Sequence, residues 1–225
     1  DCLDHLIIWF GVMYKKKSLF ITFEGIEGSG KSYQCQKLYK KLKKKKFPVI
    51  LTREPGGTIG AEKIRDIILQ DYFYKNKKNQ FGKYTDTLLY LAARNEHVEN
   101  KINPALSKKK IVLCDRYIDS TFAYQVYGKG VKKEFVDYIH KHILGKAKPN
   151  ITFLLKIKLS KAIKRIKKRK KKNRYDKFSK AFYQKVQNYF IRIAKTKKKY
   201  VILDNTKDTD ETEKIIYNKV IKYVK

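Results

Sequence analysis

Five short runs of apolar, β-branched and aromatic residues punctuate the chain, at positions 19–23, 49–52, 111–115, 151–157 and 200–203. Between them, apolar residues return at three- and four-residue intervals. The short runs read as buried strands and the interval pattern as helices. Helices are predicted over residues 33–46, with Leu38 and Leu42 inward, and over 61–69. A longer one is predicted over 85–107, with Leu88, Leu91 and Ala92 on its apolar face. Others cover 119–127, 132–144 and 178–194, the last with Phe182, Val186 and Tyr189 inward, and a closing helix ends at Val224. Pro48 and Pro149 stand where helices must stop and strands begin. Residues 71–84, polar, aromatic and rich in lysine, read as a surface loop. Strands that alternate with helices imply a parallel five-stranded sheet covered by helices on both faces, so the fold class is α/β. No repeat or linker divides the pattern, and 225 residues suit one such domain.

The first strand runs into Gly25-Ile26-Glu27-Gly28-Ser29-Gly30-Lys31-Ser32, and a helix follows. This is G-x-x-x-x-G-K-S between a strand and a helix, the context that makes the motif specific for a nucleoside triphosphate. The glycines let backbone N–H groups curl around phosphate oxygens, and the helix N-terminus adds its dipole. Lys31 is placed to reach the β- and γ-phosphates of ATP, and the Ser32 hydroxyl to ligate Mg²⁺.

Charge changes the picture in one respect. The formal net charge is +34, from 55 basic and 21 acidic residues, and 47 of the basic residues are lysine. A field of this sign favours anionic partners. The lysines nevertheless occur in nearly every segment, which fits solvated helix faces better than one patch. The chain also lacks the clustered aromatic and basic strands of an RNA binder, so nucleic acid is not the expected partner. Against such a lysine background the eight arginines are informative, because a planar fork grips phosphate or carboxylate bidentately. They are Arg53, Arg65, Arg94, Arg116, Arg165, Arg169, Arg174 and Arg192.

Cys2, Cys35 and Cys114 have no metal-ligand spacing and fit buried thiols in a reducing cytoplasm. The apolar segment 6–13 is too short to span a membrane and has no basic flank before it. Residues 1–12 are expected to be an extension without function, with the domain running over 13–225.

Two further features carry chemistry. The strand 111–115 ends in Asp115, where an acid beside a phosphate loop holds Mg²⁺ directly or through water. Arg116 follows it, which suits an anionic acceptor better than an attacking water. The turn Arg53-Glu54-Pro55-Gly56-Gly57-Thr58 follows the second strand, at the sheet edge where ligands of doubly wound folds bind. Tyr90 and Arg94 are four apart, as are Thr121 and Gln125, with Tyr124 adjacent to the latter. Two such helix faces could sandwich a pyrimidine.

Taken in order, the loop at 25–32, the 53–58 turn, Tyr90-Leu91-Ala92-Ala93-Arg94, and Asp115-Arg116-Tyr117 with residues 120–125 resemble the motifs of bacterial thymidylate kinases, P-loop nucleoside monophosphate kinases. The resemblance covers the chain from Met13 onward. It implies phosphorylation of dTMP by ATP with Mg²⁺ in a cytoplasmic homodimer, within dTTP biosynthesis. By resemblance, Arg53 and Arg116 clamp the dTMP phosphate, Arg94 hydrogen-bonds a thymine carbonyl, and Tyr90 stacks on the base in place of the usual Phe. Thr121 and Gln125 read the other polar edge, Tyr124 crowds the 2′ carbon, and Glu27 contacts the 3′-hydroxyl. The loop itself holds no basic residue between Gly25 and Gly30. This matches the class that supplies its transition-state arginine from a mobile basic lid, at about 160–178. Arg169 is the first candidate, with Arg165 and Arg174 next. Asn173-Arg174-Tyr175-Asp176 resembles the family's Asp-Arg-x-Glu in altered form.

Overall fold

In a computed structural model, residues 18–70, 80–170, 173–206 and 210–224 are described. Five strands form one parallel sheet: β1 (Leu19–Glu24), β2 (Val49–Arg53), β3 (Ile111–Asp115), β4 (Ile151–Lys156) and β5 (Tyr200–Asp204), in the order β2-β3-β1-β4-β5. The helices that cross between them are α1 (Lys31–Lys44), α2 (Ile59–Leu69), α3 (Lys83–His97), α4 (Asn103–Ser107), α5 (Ile118–Thr121), α6 (Lys133–Ile143), α7 (Leu159–Lys167), α8 (Lys180–Lys195) and α9 (Asp210–Val224).

The period-2 alternation of β1 explains the layers. Leu19, Ile21 and Phe23 point to the face covered by α1 and α9, meeting Leu38, Leu42, Ile216 and Val220. Phe20 points the other way, with Val112 and Cys114, onto Val98, Ile102 and Tyr117. A third cluster joins Leu154 to Ile166 of α7 and to Tyr183, Val186 and Phe190 of α8. Each of these fully buried side chains contributes about 1.5–3 kcal/mol.

Register places the chemistry. Phe23 of β1 pairs with Asp115, and Arg53 of β2 pairs with Asp115. The phosphate loop, the acid and the first arginine therefore leave the sheet at one carboxyl edge, as expected for a doubly wound fold.

Some readings are corrected. The stretch 85–107 is not one regular helix: a π-helical turn, Val98–Ile102, separates α3 from α4. Leu88 and Ala92 face outward, and α3 buries Thr87, Leu91, Arg94 and His97 instead. The inward face is largely polar because it lies over an ion network, so of the three residues expected to face inward only Leu91 does. The stretch 119–127 becomes the short α5 followed by a second π-helical turn, Phe122–Gly128. Residues 1–17 and the 71–79 part of the predicted loop lie outside the described residues.

Candidate active site

The loop between β1 and α1 closes from both sides. At Gly28 a Cβ would lie 2.6 Å from the Ala162 carbonyl oxygen, and at Gly30 it would lie 2.3 Å from Asn205 Nδ2. Both residues have positive φ, so only glycine fits. Asn205 is part of the clasp: its Nδ2 donates to the Ser29 carbonyl at 2.8 Å and its backbone N–H to Lys156 O at 2.8 Å.

Lys31 is buried at the first turn of α1, with Nζ 3.4 Å from the Ile26 carbonyl oxygen. Burial, reinforced by Arg116 and Arg169, pushes its pKa down to about 8 despite Asp115 and Glu27. The Ser32 hydroxyl donates to Asp115 Oδ2, while Asp115 Oδ1 is buried without a hydrogen-bond partner. That hydroxyl–carboxylate pair, with one unspent carboxylate oxygen, fits Mg²⁺, which takes one or two protein oxygens and completes its shell with phosphates and water.

Twelve of the predicted residues line one cleft: Glu27, Lys31, Ser32, Arg53, Tyr90, Arg94, Asp115, Arg116, Thr121, Tyr124, Gln125 and Arg169. Arg116 sits in the left-handed region (φ 72°) and fans over the loop, donating to Gly25 O and Ser120 Oγ at 3.0 Å and to Glu27 Oε1 at 2.7 Å. Glu27 also accepts from the Tyr124 hydroxyl at 2.5 Å. Arg53 pairs with Glu62 at 2.8 Å, an exposed contact that a phosphate can replace. The Tyr90 ring packs edge-on against Tyr175, centroids 6.2 Å apart.

Arg94 is more constrained than expected. Its Nε and Nη2 donate to Glu54 Oε2, Nη1 to Thr121 Oγ1 and His140 Nε2, and Nη2 also to the Tyr117 carbonyl. Four hydrogen bonds and the ion pair to Glu54 thus hold the guanidinium, which also borders the cleft. Burial would raise the Glu54 pKa, but Arg94 and His97 outweigh it and hold the carboxyl below the usual range. His140 is pushed down to about 3 by burial and by Arg94, and stays neutral.

The three arginines assigned to the basic segment separate. Arg165 of α7 donates to the Gly28 carbonyl at 2.9 Å, and Arg169 reaches the cleft while holding Asp176 Oδ1 at 2.6 Å. Arg174 does not face the cleft. It is buried in an ion pair with Asp86 and donates to the Tyr175 hydroxyl at 3.0 Å. The acid that claims it lies on α3, 88 positions away along the chain, so no local pattern could reveal the pairing.

Sequence reasoning gave no site role to eight further residues that line the cleft: Glu54, Pro55, Arg65, Leu69, Tyr117, Ser120, Asn173 and Tyr175. Arg65 donates to the Pro55 carbonyl at 2.7 Å, and its survival as arginine was the available signal. Ser120 donates to Glu24 Oε2 at 2.7 Å, and burial with the nearby Asp119 charge pushes Glu24 up to about 8.

A parallel sheet whose first strand feeds a glycine loop, with an acid and arginine forks on the same edge, defines a phosphotransferase acting between two phosphorylated ligands. Comparison with known proteins narrows this. A family model described as thymidylate kinase matches residues 23–216. Among curated relatives, thymidylate kinase of Halothermothrix orenii is 38% identical over 207 residues, covering 91% of this chain and 97% of that protein. That of Acholeplasma laidlawii is 40% identical over 207 residues, covering 91% and 99%. The crystal structure of thymidylate kinase from Ehrlichia chaffeensis superposes with a TM-score of 0.70 at 32% identity, covering 93% of this chain and all of that one. The chain belongs to the thymidylate kinase family.

Proposed function

We propose that the chain carries out ATP + dTMP → ADP + dTDP, the step that commits thymidylate to dTTP and DNA synthesis. The observation that carries this reading is the arrangement of the cleft. A phosphate loop with Lys31 at its base opens onto a pocket whose walls bear Arg53 and Arg116 for a phosphate, and Tyr90, Thr121 and Gln125 for a base. The nucleophile is an oxygen of the acceptor phosphate, already ionised at neutral pH, so no general base is required. Catalysis rests on alignment and on meeting the charge of the transferred group.

In this reading, residues 25–32 hold the donor phosphates, and Lys31 faces the β- and γ-phosphates. Arg53 exchanges Glu62 for the acceptor phosphate, and Arg116, fixed by Glu27, orients that phosphate in line. Arg169 supplies positive charge to the moving group, with Arg165 bracing the loop. Ser32 and Asp115 would hold Mg²⁺, which would supply positive charge against that of the donor phosphates. Glu27 and Tyr124 are hydrogen-bonded to each other on the cleft wall, which supports their assignment to the 3′-hydroxyl and 2′ carbon of the acceptor sugar. The buried thiols Cys35 and Cys114 support a reducing cytoplasm. No helix among the described residues is long and apolar enough to cross a membrane. Exposed Ile59 on α2 and Leu88 on α3, two helices packed together, support a homodimer.

A panel of acceptors tests the reaction. ADP release with ATP and Mg²⁺ is expected to be fastest with dTMP. Preference for CMP, AMP or unphosphorylated thymidine overturns the proposal.

A further inference from the structure

Asp86 lies on α3 below the cleft, fully buried, and does not line it. Three donors converge on it. Lys129 Nζ donates to Oδ2 at 2.7 Å, Gln125 Nε2 approaches Oδ2 at 3.3 Å, and Arg174 forms an ion pair with Oδ1. With two cations on it the carboxyl is an acceptor only. Gln125 Nε2 also lies 3.4 Å from the Tyr175 hydroxyl, which receives Arg174 as well. Both amide protons of Gln125 therefore have protein acceptors, Asp86 beneath the cleft and the Tyr175 hydroxyl on its wall, and the carbonyl oxygen is the end left for the ligand.

We propose that Asp86 is a specificity-determining positioning residue: it fixes the Gln125 amide so that the pocket meets an acceptor, selecting bases that carry an imino N–H. The inference rests on the dTMP reading and deepens it. Thymine offers an N–H at ring position 3, whereas cytosine has an unprotonated nitrogen there. The other polar groups at the base cannot make this distinction. Arg94 is committed to Glu54, Thr121, His140 and the Tyr117 carbonyl. The Thr121 hydroxyl, which accepts from Arg94, keeps both a proton and a lone pair and so tolerates either partner. A site built around one buried hydrogen bond rejects the analogue that leaves it unpaired.

Asp86→Asn tests the chain of causes. The new amide would keep its carbonyl on the buried Arg174 and put its NH₂ at the Oδ2 position, facing Gln125, while the partly exposed Lys129 turns to solvent. Gln125 would then answer with its carbonyl and swing its own NH₂ into the pocket. The reading is the ratio of kcat/KM for dTMP to that for dCMP, with the KM for ATP as control. Wild type is expected to favour dTMP at least about a hundredfold. The variant should narrow that ratio at least tenfold while the KM for ATP holds, and Asp86→Glu should restore it. If loss of the buried charge prevents folding, Asp86→Asn combined with Arg174→Gln replaces the ion pair by two neutral amides and carries the same measurement. A wild-type preference that persists unchanged in the foldable variant overturns the role of Asp86 alone. A wild type that does not turn over dTMP removes the reaction assignment and this inference together.

Discussion

On one wall of the cleft, Arg94 is 2% exposed and is held by Glu54, Thr121, His140 and the Tyr117 carbonyl. Across the phosphate loop, Arg169 is 39% exposed and pairs with Asp176. The two guanidinium groups border the same pocket under opposite terms. Arg94 is the centre of a buried lattice with Glu54, Thr121 and His140, so its charge fixes geometry and cannot be lent out. Arg169 is the half-exposed end of a pair whose carboxylate is buried, and its guanidinium can exchange that contact for a phosphate. Asp176 is not orphaned by that exchange, because its other oxygen accepts from the Asn173 backbone at 2.9 Å. A buried cation builds the site, and a half-exposed one is available to the reaction.

The contrast can be broken at its strong end first. Arg94→Ala leaves Glu54 charged and buried beside His97, and unfolding by denaturant should show a loss of about 3–5 kcal/mol. A loss under about 1 kcal/mol would mean that the lattice is not structural. Arg169→Ala should do the reverse, lowering kcat about 10²-fold or more, as for removal of one preorganised charge. Its stability should stay within about 0.5 kcal/mol of wild type, as for other surface changes. If it costs stability without touching kcat, the two arginines are not different in kind.

The smallest effect sharpens the comparison through pH. Lys31 has a pKa lowered to about 8 by burial and by its cationic neighbours, and a bound triphosphate raises it again. Below pH 8 the ammonium is already formed and ATP affinity should be flat. Above it, binding must take up a proton, and affinity should fall by up to about tenfold per pH unit. Calorimetry in buffers of different ionisation enthalpy reads both quantities. An affinity independent of pH between 7 and 9 would show that the lysine is not desolvated in solution.

Where neighbours in sequence are neighbours in space, the chain was readable. The strand into glycines into Lys31-Ser32, and the apolar run ending in Asp115, each state their structure within a dozen residues. The parallel sheet followed from alternation alone, and the cleft gathered most of the side chains named for it. What was hidden depends on partners from distant segments. Leu88 and Ala92 looked like a core face because the true inward face of α3 carries Thr87, Arg94 and His97, whose burial makes sense only once Glu54 lies opposite. Arg174 looked available because Asp86 was invisible beside it. The second π-helical turn leaves no clear trace in apolar spacing, since it carries Tyr124 and Gln125 to the cleft wall.

Asn205 reaches back 176 positions to hold the carbonyl of Ser29, and it fills the space that a side chain at position 30 would need. The order of synthesis gives this clasp a meaning. A growing polypeptide delivers its glycine loop early, and the asparagine that latches it only after all five strands have been made. Competence to hold ATP in this geometry therefore arrives late in translation, and a fragment released sooner carries the motif without its latch.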